Sequence, residues 1–276
     1  MSTEQIRWLL KVLQPENTLG SMPGIAALTE STRAALIGVD PDVYRAELGR
    51  MRGDVQAAAD ELLADPEVSA MVDRLPLRKG ARVVAFGDSH TADPESWARI
   101  VAEMLAARRP ADDVSVAVSA VPGETTTHGL ARIGEVLARR PDWLLVFIGI
   151  NDARTQGPRP TRTLVDHGET ARNLAELKSR VSSETNARCL WVTPAAVIED
   201  RVATHWGLSR FGVRFRNEDV ARVAKAVREL GGPTIDLFSS LGAPPPSELL
   251  MGDGLHFDLA GQKRIALEVV SGWSNQ

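Results

Sequence analysis

The chain predicts an α/β protein built on a parallel sheet, preceded by a helical extension. Three observations predict it. From residue 81 onward, short apolar runs alternate with amphipathic helical segments, the order of repeated βα units. Before that point the apolar residues fall at helical spacing only. Glycine-containing polar runs then sit at the ends of the apolar segments, where an open α/β sheet places its ligands.

Residues 1–78 read as the N-terminal helical extension. Ile6, Leu9, Leu10 and Leu13 follow helical spacing behind Ser2 and Thr3 as candidate N-caps. Asp40-Pro41 has the form of an N-cap followed by proline at the first helical position. Leu48, Met51, Val55, Leu62 and Leu63 then give an apolar stripe on a long helix that Pro66 ends or kinks. A short helix carrying Val68, Met71 and Val72 follows. The stripe is expected to pack on the main domain. No catalytic motif is visible here, and capping the active site, building a homodimer interface and bracing the sheet all remain open roles.

Residues 79–276 form the α/β domain. Its candidate strands are Arg82–Phe86, Val114–Val118, Trp143–Ile148, Cys189–Thr193 and Thr234–Leu237. Its candidate helices are Pro94–Arg108, Thr126–Arg139, Thr163–Ser183, Asn217–Leu230 and Leu259–Val270. Parallel strands covered by helices on both faces need right-handed crossovers. Pro244-Pro245-Pro246 marks a stiff loop. Pro194–Phe215 reads as the longest irregular stretch, and its Trp206, Phe211 and Phe215 either shape a pocket or pin the loop to the core.

Composition excludes several function classes. Hydrophobic content is 43%, charged content 25% and net charge −4, so no global pull toward nucleic acid is expected. The single cysteine, Cys189, excludes an intramolecular disulfide and a cysteine-cluster zinc site, and its apolar run marks it as a core thiol. No histidine pairs with another at zinc-ligand spacing, so no metal or other cofactor is expected. No segment reaches the length of a membrane span and no secretory signal is visible, which makes the cytoplasm the expected location. Phosphate-binding loops, dinucleotide fingerprints and the Gly-x-Ser-x-Gly elbow are absent.

Four runs carry the chemistry. Gly87-Asp88-Ser89-His90 follows the first strand, Pro122-Gly123-Glu124-Thr125 the second, and Gly149-Ile150-Asn151-Asp152 the third; Asp253-Gly254-Leu255-His256 precedes the last helix. Parallel strands point the same way, so the first three share one sheet edge. Acyl transfer needs a nucleophile, which Ser89 supplies, and a general base, His256, oriented by Asp253 three residues earlier. It also needs donors for the tetrahedral oxyanion, and the N–H groups of Ser89 and Gly123 with the amide of Asn151 fit that need. Asp88 and Asp152 are expected to cap their turns. His90 either lines the pocket or faces solvent, with Trp206 and Phe211 as further candidate substrate contacts.

These four runs, in this order, resemble the four sequence blocks of the SGNH (GDSL-type) hydrolase family over about residues 80–275. The resemblance implies a three-layer α/β/α flavodoxin-like fold with five parallel strands. It also implies metal-independent esterase, lipase, thioesterase or carbohydrate-deacylase activity, with Ser89, Gly123, Asn151 and His256 at the family positions and Asp253 in its Asp-x-x-His. The chain departs from the family's Gly-Asp-Ser-Leu at His90, and residues 1–78 lie outside the pattern. A small-molecule carboxylic ester, with a short acyl chain or an acetylated sugar, is the expected substrate. An acyltransferase using the same residues, and a scaffold working through the N-terminal helices, are the alternatives.

Overall fold

A computed structural model describes residues 1–18 and 28–276. Five strands form one sheet: β1 (Arg82–Gly87), β2 (Ser115–Ala120), β3 (Trp143–Phe147), β4 (Arg188–Val192) and β5 (Thr234–Ile235). Every pairing is parallel and the order is β2-β1-β3-β4-β5. This is the flavodoxin-like order, whose topological switch point lies between β1 and β3. There Gly87 pairs with Ala120 on one side and Phe147 on the other, so the C-terminal ends of three strands open onto one crevice.

The helices, in chain order, are α1 (Thr3–Val12), α2 (Pro15–Thr18), α3 (Glu30–Leu36), α4 (Pro41–Leu63), α5 (Pro66–Asp73), α6 (Ser89–Ala92), α7 (Trp97–Arg108), α8 (Thr126–Ala138), α9 (His167–Glu184), α10 (Glu199–Thr204), α11 (Trp206–Ser209), α12 (Asn217–Glu229), α13 (Leu237–Leu241) and α14 (Leu259–Trp273). Period-2 alternation along β1 sends Val83 and Ala85 to one face and Val84 and Phe86 to the other. The first pair packs with Trp97, Ile100 and Met104 of α7 and Ile265, Val269 and Trp273 of α14. The second pair packs with Ile133 of α8, Leu174 and Leu177 of α9 and Val227 of α12. Three layers result.

The extension does not stand apart. Val55, Ala58 and Ala59 of α4, and Val68 and Val72 of α5, belong to the same apolar cluster as α7 and α14. Local signals set the boundaries. Ser2 and Gln5 form a capping box on α1, and Asp40 caps α4 with Pro41 at its start. Pro66 does not kink the long helix: α4 ends at Leu63, Asp65 caps α5, and Pro66 opens it.

Several sequence-derived boundaries shift for identifiable reasons. α7 begins at Trp97 rather than Pro94, because Gln262 accepts the Trp97 N–H at 2.8 Å and Ser96 takes the N-cap. α9 begins at His167 rather than Thr163, because Asp166 caps it and Leu164 donates back to the Arg154 carbonyl. β5 stops at Ile235, because Asp236 accepts from Ser239 and starts α13. The stretch expected to be irregular, Pro194–Phe215, holds α10 and α11.

Deleting residues 1–78 removes the buried Val55, Val68, Val72, Leu75 and Leu77. Each such side chain stabilises by roughly 1.5–3 kcal/mol, against a typical domain stability of about 5–15 kcal/mol. The truncated chain is expected to aggregate and to lose its cooperative thermal transition. A sharp calorimetric transition in that variant would show instead that the extension is dispensable for folding.

Candidate active site

β1 ends at Gly87, where a Cβ would collide with the Phe147 carbonyl, so only glycine allows the two strands this approach. The chain then turns: Asp88 caps α6 by accepting from the His90 N–H at 3.1 Å, and Ser89 is the first residue of that short helix. On the far side of the crevice, Asp253 Oδ1 accepts the backbone N–H groups of Leu255 and His256, both at 2.9 Å. This turn holds Gly254 at φ +70° with the Ile198 carbonyl 2.7 Å from where a Cβ would stand, so a side chain is excluded there.

The two halves meet in a continuous hydrogen-bonded chain. His256 Nδ1 lies 2.6 Å from Asp253 Oδ2, and His256 Nε2 lies 3.0 Å from Ser89 Oγ. All three residues are buried. Burial works to raise the Asp253 pKa, but the His256 charge and the hydrogen bonds outweigh it and hold the carboxyl well below the usual range. For His256 burial opposes the charge, while Asp253 wins by charge and hydrogen bond, with smaller contributions from Asp93 and Asp88, and the pKa is raised. A serine, a base of raised basicity and an ionised orienting carboxylate can together carry out nucleophilic attack on a carbonyl.

Gly123 (φ +82°) and Asn151 come to the same crevice. Asn151 Nδ2 donates to the Glu124 carbonyl at 3.1 Å, which ties it to the Gly123 loop and leaves its second amide hydrogen for a ligand. Asp152 does not cap its own turn. It reaches across to accept from the Thr126 N–H at 2.9 Å and from the hydroxyls of Thr126 and Thr170, so it anchors the start of α8 beside β3. Asp88 is buried, its Oδ2 has no partner among the described residues, and burial pushes its carboxyl up to about 7.

A pocket of about 210 Å³ opens at Ser89 and His256, lined also by Gly123, Asn151, Arg154, Leu208, Val213 and Leu255. The three side-chain candidates for substrate contact lie off it. His90 is buried, neither solvent-facing nor pocket-lining. Its Nε2 lies 3.1 Å from the Leu255 carbonyl and its ring packs on Phe147, Phe257 and His256. Burial and the His256 charge lower its pKa to about 3, so it stays neutral. Trp206 is exposed and packs edge-on against Trp8, and Phe211 is exposed beside Gly157 and Pro158. From that loop, Leu208 and Val213 line the pocket instead.

Residues 1–18 contribute what the sequence did not disclose. Trp8 donates its indole N–H to Asp253 Oδ2 at 2.7 Å, and Val12, Leu13 and Thr18 line the pocket. Lys11 is buried, with its ammonium 3.1 Å from Asp93 and 2.9 Å from Glu95, just beyond α6. Burial disfavours its charge, but the two carboxylates outweigh that and the pKa is raised. The signal was present: Glu4, Trp8 and Lys11 stand four and three residues apart, with Val12 four beyond Trp8, a second face opposite the apolar stripe. Among the described residues no group of His, Cys, Asp or Glu is arranged to hold a metal ion.

A Ser-His-Asp chain at the switch point of a flavodoxin-like sheet defines the class: an α/β enzyme built for acyl chemistry. Residues 85–264 match the GDSL-like Lipase/Acylhydrolase family, and the chain belongs to that family of carboxylic ester hydrolases. Its fold is similar to that of a lipase/acylhydrolase from Enterococcus faecalis, at 25% identity and TM-score 0.56, covering 71% of this chain and 96% of that one. It is similar also to LAE5, an enzyme from the metagenome of Lake Arreo, Spain, at 21% identity and TM-score 0.55, covering 72% and 97%. A catalytic mutant of Axe2, an acetylxylan esterase from Geobacillus stearothermophilus, shares the fold at 19% identity and TM-score 0.55, covering 71% and 95%. No curated protein matches the chain.

The Trp8 contact is testable. Trp8→Phe keeps most of the ring and removes the N–H donor. Losing one hydrogen bond of about 1 kcal/mol corresponds to roughly a fivefold fall in kcat/KM. A carboxylate with one donor fewer attracts the His256 proton more strongly, so the acid limb of the pH profile is expected to move to higher pH. An unchanged pH profile and unchanged kcat/KM would show that the contact does nothing for the site.

Proposed function

We propose that this hydrolase cleaves a short-chain or acetyl ester of a small molecule or sugar through an acyl-enzyme on Ser89. The single observation that carries this is the 3.0 Å and 2.6 Å chain from Ser89 Oγ through His256 to Asp253. Ser89 Oγ attacks the ester carbonyl carbon as His256 Nε2 takes its proton. The carbonyl oxygen becomes an oxyanion, met by the N–H groups of Ser89 and Gly123 and by the Asn151 amide. The intermediate collapses with the C–O bond to the alcohol breaking, and His256 returns the proton to the departing oxygen. Water then repeats the attack on the acyl-serine, with His256 taking its proton, and frees the acid. Asp253 fixes the histidine tautomer and stabilises the imidazolium throughout.

The pocket supports a small substrate. At about 210 Å³ it falls below the range of roughly 300–1,000 Å³ common for drug-sized ligands. It suits a short acyl group better than a fatty chain. Residues 1–78 are, in this reading, an integral brace of the hydrolase domain, holding one wall of the pocket.

The test is hydrolysis of p-nitrophenyl esters from acetate to palmitate by the wild type, Ser89→Ala and His256→Ala. Residues acting as a unit cost up to ~10⁶ in kcat when either is lost, and acetate to butyrate should be the best substrates. Full activity in either variant sinks the mechanism, and palmitate as best substrate sinks the small pocket. The base must be neutral to act. Because the His256 pKa is raised above its ordinary value of about 6.5, kcat/KM should be lost as pH falls through a midpoint above that value. A midpoint at or below it would contradict the Asp253–His256 coupling.

A further inference from the structure

One pocket residue has no part in the steps above. Arg154 lines the pocket of Ser89 and is half-buried. Among the described residues its only side-chain hydrogen bond is a weak one, from Nη1 to Asn151 Oδ1 at 3.5 Å. Its Nε is buried and has no partner among the described residues. Burial lowers its pKa and no nearby acid offsets this. Residues 19–27 contain no Asp or Glu to supply one. By contrast Arg132, near the same crevice, is saturated by hydrogen bonds from Nε and Nη2 to Glu124.

A desolvated guanidinium without a counter-charge is costly, and proteins pair such groups or use them to bind anions. The surroundings carry the same sign. Residues 153–165 and 205–216 hold six arginines (Arg154, Arg159, Arg162, Arg210, Arg214 and Arg216) and no Asp or Glu. The two stretches are joined by an antiparallel bridge between Thr155 and Arg214, and Val213 beside that bridge lines the pocket. Of the other five, Arg216 is taken by Asp219 and Arg210 lies over the Phe211 ring. Arg162, Arg214 and Arg216 line a neighbouring cavity together with Glu199 and Asp200, so of these six arginines Arg154 alone lines the pocket of Ser89.

We propose that the ester turned over at this site carries an anionic group, a carboxylate or a phosphate, which Arg154 binds beside the scissile bond. This rests on the Ser89 reading above. The planar guanidinium suits either group, because both offer two oxygens to its parallel N–H donors. Arg154 thereby selects among esters that the Ser-His-Asp chain alone would treat alike.

The experiment compares matched esters at low ionic strength. On the alcohol side these are phenyl acetate, 3-acetoxybenzoate and 3-acetoxyphenyl phosphate. On the acyl side they are 4-nitrophenyl butyrate and mono-4-nitrophenyl succinate. For the wild type, kcat/KM on at least one anionic ester should exceed its neutral twin by about tenfold or more, and added salt should erode that ratio. Which anionic probe leads separates carboxylate from phosphate and acyl side from alcohol side. In Arg154→Met the ratio should collapse toward one, and Arg154→Lys should keep part of it, since the charge remains but the fork does not. Because the readout is a ratio within one variant, a general loss of activity or of folded protein divides out. A wild-type ratio of one or less for every probe overturns the proposal, as does a ratio unchanged in Arg154→Met. The latter result, with equal losses on neutral and anionic esters, would make Arg154 a positioning residue for Asn151. Failure of the underlying reading shows differently, as neutral-ester turnover that survives in Ser89→Ala or is missing from the wild type.

Discussion

The Asp253 carboxylate is the constraint around which the site is organised. Its Oδ1 accepts two backbone N–H groups and its Oδ2 accepts from His256 and Trp8. Four donors on one buried group leave it no freedom to rotate, and the His256 charge with the hydrogen bonds from His256 and Leu255 keeps it ionised despite complete burial. Each donor comes from a different requirement of the fold. The backbone pair exists because Gly254 can take a positive φ, the histidine because the turn brings it back over the sheet, and the indole because α1 lies across the crevice. Remove the carboxylate and the imidazole, the loop and the first helix all lose their common partner.

A buried ionic cluster holds that first helix in place. Lys11 sits between Asp93 and Glu95, while Arg7 reaches Glu47, Asp54 and Glu95. Such clusters contribute little net stability once desolvation is counted, but breaking one partner is expensive. Their value here is geometric. Asp93 and Glu95 lie a few residues beyond Ser89, so the cluster fixes α1 to the segment that carries the serine. The same helix carries the indole that meets Asp253, and both ends of the Ser-His-Asp chain are therefore referenced to one element.

The sheet and the four glycine-bearing turns were readable in the sequence because their signals are local. Strands β1 and β3, buried on both faces, are continuous apolar runs, and Gly87, Gly123, Gly149 and Gly254 mark places where the backbone needs room or a positive φ. What stayed hidden depends on pairs distant in the chain. Trp8 meets Asp253 across 245 residues, and no periodicity announces that. The apolar stripe of α1 showed one buried face, whereas the helix is buried on two. The burial of His90 is hidden from its own segment for a related reason. Its neighbours Phe147 and Phe257 come from another strand and from the far turn, so its burial is a property of the assembled crevice rather than of its own segment. Asp236 and Asp166 are subtler: a capping carboxylate ended a strand or delayed a helix where apolar pattern alone would have carried on.

The bond between Trp8 and Asp253 also has a bearing on how the molecule comes into being. A contact that closes a loop of nearly the whole chain costs more closure entropy than local ones, though the cost grows only logarithmically. It is formed only where α1 and the far turn are both in place, since each supplies one partner. No strand pairing of the sheet involves α1, whereas Asp253 takes one donor from it and the pocket wall takes Val12 and Leu13. The Trp8–Asp253 bond thus couples the state of the first helix to the hydrogen-bonded chain that runs from Asp253 to Ser89.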